Sequence, residues 1–337
     1  MTPFTISLAA LAGFLLIWFL IEKSRRRTHP VTGGLQENIN LPHTDEFELY
    51  ANAFSHCSRK TRLVMAEAGV PYRYHSIDLI ETGKYETIGP RYLKVNPSGL
   101  VPTLVHNGHP IYESDDILTY VADHASPDAG SLVPTDPAER TEMNRWLESG
   151  VISSDDPMEN MPARAGSCIP GLTFPVFVTA IRYIPLRRIL VGFLFHPDKK
   201  RPAFFTASRL FGLRTMLSQK PLQQMMHASR DHMRGHLAQL AQKLESTQGP
   251  WILGEQYTLA DVTWSCILLR VDETGWLDHF LQDADLAPVR TYYTALKNRD
   301  SWKAAITDKA HPIVEKAEAD LKKAIATDSK IAKALYG

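Results

Sequence analysis

Cysteine is scarce in this 337-residue chain, and the few thiols are far apart. The 3 cysteines, Cys57, Cys168 and Cys266, are odd in number and widely spaced, so they form neither a disulfide framework nor a zinc site. A reducing compartment is the simplest interpretation. A net charge is also lacking, because 37 lysines and arginines balance 37 aspartates and glutamates. This balance excludes the broad positive field that holds nucleic acid, so no nucleic-acid partner is expected.

An uncharged run long enough to cross a bilayer occurs only near the amino terminus, over residues 4 to 21. As a helix this run would be roughly 27 Å long, close to the hydrocarbon thickness of a membrane. The basic cluster Arg25-Arg26-Arg27 follows the run, whereas in a secretory signal basic residues precede it. By the positive-inside rule, everything beyond this cluster stays in the cytoplasm. We therefore predict a single-pass membrane anchor over residues 1–27, with the remaining chain on the cytoplasmic side.

A polar linker, residues 28–45, leads into a region of alternating strand and helix patterns. Phe47 to Ala51 and Tyr72 to Leu79 are typical of strands, and a helical pattern lies between them, which favours a parallel pair. Asn107-Gly108 between two short apolar runs predicts a type I′ hairpin, because both central residues of that turn need positive φ. The order βαβ, then ββα, predicts a thioredoxin-like α/β domain over residues 46–127.

The chain beyond residue 136 has only helical patterns, which predicts an all-α domain over residues 136–310 and a peripheral helical tail over residues 311–337. Thr258 and Asp261 form a capping box at the start of a mostly apolar helix, so we interpret Asp261 as a folding residue. His232 and His236 lie at i, i+4 spacing, but no carboxylate or cysteine completes a recognised zinc pattern, and no metal site is predicted.

An insertion at about residues 162–220 is rich in apolar and aromatic residues but is interrupted by prolines and arginines. These interruptions exclude a second full membrane span. Two placements stay open for the insertion. It could lie in the membrane interface, or it could pack over the helical bundle and the mouth of a site.

Four short motifs occur in a fixed order along the chain. They are S-H-C-S-R-K-T-R at residues 55–62, V-P-T at 101–103, E-S-D-D-I at 113–117 and G-E-Q-Y-T-L-A-D-V at 254–262. Together they resemble the cytosolic glutathione transferase superfamily, over roughly residues 45–125 and 220–300. Within it, the first motif is most similar to tetrachlorohydroquinone dehalogenase and then to the zeta class, which contains maleylacetoacetate isomerases.

This resemblance implies a thioredoxin-like glutathione-binding domain joined to a helical bundle, with glutathione as co-substrate. It assigns to Ser55 a hydrogen bond that it donates to the glutathione sulfur. Val101, before a cis Pro102, would present backbone groups to the cysteinyl part of glutathione. Glu113 and Ser114 would hold the γ-glutamyl end.

Cys57 has two interpretations. A cysteine at a helix amino terminus can have a low pKa, and such a thiolate could attack a glutathionyl conjugate to form a mixed disulfide. Alternatively, Cys57 is a small structural residue. His56 could assist deprotonation, although a lone histidine in a loop is more often incidental. Lys60 and Arg62 are expected to face solvent or the domain interface.

The leading hypothesis is a membrane-tethered, glutathione-dependent transferase that acts on hydrophobic electrophiles, with reductive dehalogenation or thioether cleavage as specific forms. A glutathione-dependent cis–trans isomerase is a second possibility. A third is a non-catalytic adaptor of the same fold that uses its insertion to bind a membrane or a partner. A homodimer would be usual for the superfamily.

Overall fold

The computed structural model describes residues 2–152 and 157–337 and contains one five-stranded sheet, with the order β1-β5-β4-β2-β3. The strands are β1 (Gly34–Leu35), β2 (Phe47–Ala51), β3 (Arg73–Ser76), β4 (Thr103–His106) and β5 (His109–Tyr112). Strand β2 pairs in parallel with β3 and antiparallel with β4, and β4 pairs antiparallel with β5. The parallel pair followed by an antiparallel hairpin is the thioredoxin-like topology that the sequence predicts.

The helices are α1 (Pro3–Arg25), α2 (His56–Glu67), α3 (Ser114–Ala122), α4 (Pro137–Ser149), α5 (Pro157–Asn160), α6 (Ala165–Ala180), α7 (Leu186–Phe195), α8 (Lys200–Leu217), α9 (Lys220–Ser246), α10 (Leu259–Glu273), α11 (Leu277–Phe280), α12 (Ala287–Lys297), α13 (Asp300–Ala305), α14 (Pro312–Thr327) and α15 (Ser329–Tyr336). Helix α1 precedes the strands, α2 lies between β2 and β3, and the helices after β5 include those of the carboxyl-terminal bundle. Helices α2 and α3 pack on the sheet through Leu63, Val64 and Ile117, which are buried in one core with Leu49.

The turn between β4 and β5 confirms the predicted hairpin. Asn107 and Gly108 have φ values of 49° and 87°, so both lie in the left-handed region that a type I′ turn requires. The turn sets the register, in which His106 faces His109 and Leu104 faces Ile111. This register places Leu104 and Ile111 in the core beneath α2 and α3.

Residues 28–45 are in contact with the thioredoxin-like domain along much of their length. Strand β1 pairs with β5, and the His29 amide donates to the Pro97 carbonyl at 2.8 Å. The sequence analysis treated this segment as a linker and did not anticipate the strand, because two residues give no period-2 pattern. The contacts lead the chain from α1 along the edge of the sheet.

Within residues 2–152 and 157–337, two helices are long and apolar enough to cross a membrane, and they differ in how much of each is buried. Helix α1 has no buried residue. The second candidate, Ala165–Tyr183, consists of α6 and the 3₁₀ turn after it, and 83% of its apolar stretch is buried. Helix α6 packs against α9, α10 and α14 despite Pro170 and Pro175. It is therefore a core helix of the bundle.

Asp261 joins three segments at the start of α10. Its carboxylate accepts hydrogen bonds from the amides of Ile252 (3.0 Å) and Thr258 (2.8 Å) and from the Tyr292 hydroxyl (2.8 Å). Burial raises the pKa of Asp261 to about 6, although these donors act in the opposite direction. The carboxyl therefore caps α10 and ties it to α12.

Replacing Asp261 with alanine is expected to lower the free energy of unfolding by about 2 kcal/mol or more, because several buried donors lose their acceptor. Urea denaturation followed by circular dichroism measures the change. Asp308→Ala is the matched control, since Asp308 forms only an exposed ion pair with Lys303 at 2.8 Å and should cost less than about 0.5 kcal/mol. Equal losses in the two variants would contradict the capping role.

Candidate functional site

The site begins where β2 ends and α2 starts. Ser55 is the residue that caps α2, and its Oγ accepts a hydrogen bond from the Ser58 amide at 3.3 Å. Because Oγ acts as an acceptor toward the helix, its own proton is available for donation to a ligand. The first turn of the helix also supplies a partial positive charge. The amino end of α2 can therefore hold an anion beside the Ser55 hydroxyl.

Asn52 fixes the loop that carries Ser55. Its side-chain oxygen accepts from the amides of Phe54 (2.8 Å) and Ser55 (3.1 Å), and its side-chain nitrogen donates to the Ile77 carbonyl (2.8 Å) and the Thr82 hydroxyl (3.0 Å). Asn52 is 1% exposed. A buried amide with this many partners holds Ser55 in one position relative to β3 and the turn that follows it. The sequence analysis did not identify Asn52.

Ser55 lies between two cavities. The first has a volume of about 340 Å³ and is lined by Ser55, Ser98 and Val101 on the thioredoxin-like side, together with apolar residues such as Leu79 and Ile80. We call it the polar cavity because its lining is less apolar than that of the second. The second, which we call the apolar cavity, has a volume of about 210 Å³ and is lined by Ser55 together with apolar residues such as Phe54, Ile169 and Phe177. A group bound at the Ser55 hydroxyl is thus within reach of ligands in both cavities.

The insertion forms the outer wall of the site. His196 and Arg201, at the junction of α7 and α8, line the polar cavity, and Arg201 also lines the apolar cavity. Arg201 forms an ion pair with the buried Glu81 of the thioredoxin-like domain. The carboxylate of Glu81 outweighs the effect of burial and raises the pKa of Arg201. Of the two placements predicted for the insertion, this part occupies the mouth of the site.

The loop before β4 has the predicted backbone conformation. The Val101–Pro102 peptide bond is cis, and Val101 lines the polar cavity. Asn96 is buried; its side chain donates to the Leu100 carbonyl (3.0 Å) and accepts from the Ser98 hydroxyl (2.7 Å). Asn96 therefore supports the loop, whereas Ser98 lies at the surface of the cavity.

Glu113 and Ser114 stand at the start of α3. Glu113 has a φ of 64°, which is unusual for a residue other than glycine, and it is exposed. Such a backbone strain is common at residues that contact ligands. Ser114 is buried, and its hydroxyl lies within hydrogen-bonding distance of the Cys57 thiol. The structure thus brings the starts of α2 and α3 together, with Cys57 and Ser114 as neighbours.

Lys60 lies beneath this junction. It is 1% exposed and forms an ion pair with Asp115 on α3. Of the two predicted locations, solvent and the domain interface, exposure to solvent is therefore wrong for Lys60. Burial favours the neutral amine, but the Asp115 carboxylate raises the pKa of Lys60. Arg62 is also buried and donates to the Ala305 carbonyl (2.7 Å) of the helical domain. Arg62 therefore lies at the predicted domain interface, while Lys60 holds α2 to α3.

The thiol of Cys57 is not set up as a thiolate. Burial raises the pKa of Cys57, although the charge of Lys60 acts in the opposite direction. Neither cavity is lined by Cys57. His56 does line the apolar cavity, and burial with the charges of Lys60 and Arg270 lowers the pKa of His56 well below its usual value. His56 is therefore neutral, and the hydroxyl of Ser55 is the donor best placed for an anion.

Residues of the bundle and the insertion complete the site, and no local pattern marks them. Arg201 comes from α8, and Arg270 comes from the last turns of α10. Both reach the apolar cavity only through tertiary packing.

Known proteins match the two halves of the chain separately. Family models of the glutathione S-transferase N-terminal domain and of the C-terminal domain match residues 54–124 and 223–295, respectively. A glutathione S-transferase 1 of Dianthus caryophyllus is 30% identical over 35% of this chain and 51% of its own length. A tetrachloro-p-hydroquinone reductive dehalogenase of Sphingobium chlorophenolicum is 26% identical over 77% of this chain and 95% of its own length. The chain therefore spans about half the length of the first relative and nearly all of the second.

A solved structure matches the fold over most of the chain. A beta-etherase of Sphingobium sp. strain SYK-6 superimposes with a TM-score of 0.61 at 18% identity, over 78% of this chain and 100% of its own chain. At that identity the similarity shows the fold alone. The two family models, in the order that the motifs predict, show that residues 54–124 and 223–295 are N- and C-terminal domains of the glutathione S-transferase family, whose co-substrate is glutathione.

Proposed function

We propose that this protein is a membrane-attached glutathione transferase that joins the glutathione sulfur to hydrophobic electrophiles. One observation carries the proposal: the Ser55 hydroxyl, at the amino end of α2, lines both the polar and the apolar cavity. A nucleophile held in the first cavity can therefore meet an electrophile held in the second.

Activation of the thiol is the chemical problem that this geometry addresses. A free thiol with a pKa near 8.5 is mostly protonated at neutral pH, and the thiolate is the reactive form. The partial charge of the helix and a hydrogen bond from Ser55 both favour the thiolate. The sulfur then attacks the electrophile, a carbon–sulfur bond forms, and the leaving group departs with its electron pair. The thiol proton goes to solvent.

Binding of glutathione is assigned to Val101, which lines the polar cavity, and to Glu113 and Ser114 at the start of α3, which line neither cavity. Val101 would pair its backbone with the cysteinyl part, and the amide groups at the start of α3 with Ser114 would receive the γ-glutamyl carboxylate. Glu113 is exposed and acidic, which suits the α-ammonium group. These roles rest on the family motifs and on the convergence of the two helix starts.

Reductive dehalogenation would require Cys57 as a second thiol. After glutathione has displaced halide, the Cys57 sulfur would attack the sulfur of the conjugate. A mixed disulfide forms, the carbon–sulfur bond to the substrate breaks, and the released carbon takes a proton. A second glutathione then frees Cys57 and leaves as oxidised glutathione. Thioether cleavage follows the same steps from a conjugate supplied as substrate.

The variant Cys57→Ala separates this cycle from simple conjugation. We expect it to keep conjugation within about threefold of the wild type, because Ser55 holds the thiolate, and to abolish any reductive product. Product analysis by mass spectrometry measures both, and glutathionylated Cys57 should appear in wild-type protein that carries out the cycle. A large loss of conjugation in this variant would move the primary role from Ser55 to Cys57.

Attachment to a membrane is the second part of the proposal. Helix α1 exposes Phe14, Leu16 and Ile17, among other large apolar side chains, and ends in a basic cluster. A bilayer would cover this surface, and the positive-inside rule puts the catalytic domains on the cytoplasmic side. A hydrophobic electrophile that partitions into lipid would then be concentrated near the site.

Helix α7 supports this attachment. Leu186, Leu190, Phe193 and Leu194 lie on one face of it and are 64%, 57%, 40% and 39% exposed. The opposite face is anchored in the protein by the buried Ile189. Helix α7 also contacts α1, since the rings of Phe19 and Phe195 lie 5.7 Å apart.

A basic groove lies between α1 and the end of α7. It has a volume of about 580 Å³, and its lining includes Lys23, Arg26, Arg27 and Lys199. Apolar side chains beside a basic groove suit the acyl chains and phosphate groups of a bilayer surface. We therefore assign the outer face of α7 to the membrane interface, while its end walls the active site.

Product analysis of full-length protein in detergent tests the activity. Incubation with glutathione and 1-chloro-2,4-dinitrobenzene should give the thioether conjugate at a rate above the uncatalysed one. Turnover of maleylacetone without net conjugation would instead favour the hypothesis of a cis–trans isomerase. Failure to bind glutathione agarose, with no turnover of any of these compounds, would favour the adaptor. Light scattering tests whether the usual homodimer of the family forms.

A further inference from the structure

Among the residues that the structure describes, Arg270 is a buried positive charge of the apolar cavity that has no carboxylate to itself. Arg270 is 2% exposed and lines this cavity close to Ser55. Its Nη2 donates to the Phe54 carbonyl, and its guanidinium lies 3.8 Å from the centre of the Phe54 ring. Its Nη1 has no hydrogen-bond partner within residues 2–152 and 157–337.

The nearby carboxylate is shared with a second arginine. Glu273 accepts from Arg59 through both of its oxygens, one of them at 2.7 Å, while Arg270 Nε stays 3.5 Å from Glu273. Burial and the charge of Glu273 raise the pKa of the nearby Glu318, which disfavours its negative charge. Two guanidinium groups therefore face one ionised carboxylate.

The other charged groups of the cavity are paired with each other. Arg201 and Glu81 form one ion pair across the cavity wall. His56 is neutral, as described above. The uncompensated charge of the cavity thus resides on Arg270. A buried unpaired charge is costly, and that cost is removed when a ligand supplies the missing anion.

We propose that Arg270 is the anion-binding end of the electrophile site, so that preferred substrates are apolar electrophiles that carry a carboxylate or a similar oxyanion. The inference rests on the proposed transferase function and names its substrate class. Phe54 and Phe177 would contact the apolar body of the substrate, Arg270 Nη1 would donate to its anionic group, and Ser55 would lie toward its reacting carbon.

A matched pair of electrophiles tests the proposal. 4-Chloro-3-nitrobenzoate and 4-chloro-3-nitrobenzamide undergo the same displacement of chloride by glutathione and differ in charge. With each kcat/KM divided by the uncatalysed rate constant, we expect the full-length enzyme to prefer the carboxylate by about tenfold or more. Arg270→Gln should abolish the preference, and Arg270→Lys, which keeps the charge, should retain part of it.

Several results would overturn the proposal. Equal normalised values for the two compounds in the wild type would exclude the anion site and leave the transferase function intact. If Arg270→Gln lowers the normalised kcat/KM of both compounds equally and raises the KM for glutathione, the anion that Arg270 binds belongs to glutathione and not to the electrophile. If Arg270→Gln does not fold, the preference of the wild-type enzyme for the carboxylate over the amide decides whether the proposal holds. If neither compound is turned over, calorimetry compares the affinities of the two glutathione conjugates, and equal affinities would again exclude the anion site. Absence of glutathione binding would instead refute the transferase proposal.

Discussion

Replacing Ser55 with alanine is expected to lower kcat/KM for glutathione conjugation by about 100-fold or more, the typical effect of removing one donor from a developing or bound anion. The structure gives the reason, because Ser55 Oγ uses its acceptor function on the Ser58 amide and retains its proton for the ligand. Steady-state kinetics with 1-chloro-2,4-dinitrobenzene measures the loss. Binding of glutathione itself should weaken little, since the other predicted contacts remain.

Ser55→Thr is the matched control for this loss. Threonine keeps the hydroxyl and is a good capping residue, so the variant should retain most of the activity and the stability of α2. An equal loss in both variants would point to packing rather than to the hydroxyl. An activity of Ser55→Ala close to that of the wild type would remove Ser55 from the mechanism.

Disruption of α1 is expected to move the protein from the membrane to the soluble fraction. No residue of its 18-residue apolar window is buried in the structure, and a charge at the centre of a membrane helix costs about 2.5–3.5 kcal/mol for insertion. Leu11→Asp with Leu15→Asp should therefore prevent stable insertion, while Leu11→Ile with Leu15→Ile should not. Carbonate washing of membranes, followed by immunoblotting, measures the distribution.

The same fractionation distinguishes the two membrane contacts. If α7 binds the interface, the aspartate variant should still associate with anionic vesicles at low salt and dissociate at high salt, because the groove charges are screened. Release of the wild-type protein by carbonate would contradict the anchor. Digestion of a carboxyl-terminal tag by protease added outside intact cells would contradict the cytoplasmic placement.

The parts of the fold that local patterns determine were predictable. The hairpin at Asn107-Gly108 and the cap at Asp261 depend on residues within a few positions of each other, and the structure confirms both. Strand β1 was not predictable, because its two residues form a strand only by pairing with β5. Helix α6 shows the same limit, since its role as a core helix depends on three distant helices.

The residues of the candidate site that belong to family motifs were predictable from the sequence. The properties that depend on how deeply a side chain is buried were not. The sequence predicts Cys57 at a helix amino terminus, a position that favours a thiolate. In the structure Cys57 is partly buried where α2 packs against α3 and α10, and this burial raises the pKa of its thiol. Lys60 was predicted to face solvent or the domain interface, because its partner, Asp115, is remote in sequence. Arg270 gave no local signal, since its environment is assembled from segments that are far apart in the chain.

Titration of glutathione bound to the full-length protein addresses the central claim, that the start of α2 and the Ser55 hydroxyl stabilise the glutathione thiolate. The ultraviolet absorbance of the thiolate, followed against pH, gives the pKa of the bound thiol directly. The account predicts a pKa at least about 1.5 units below that of free thiols near 8.5, and a return toward the free value in Ser55→Ala. A bound thiol that titrates like free glutathione in the wild type would contradict it.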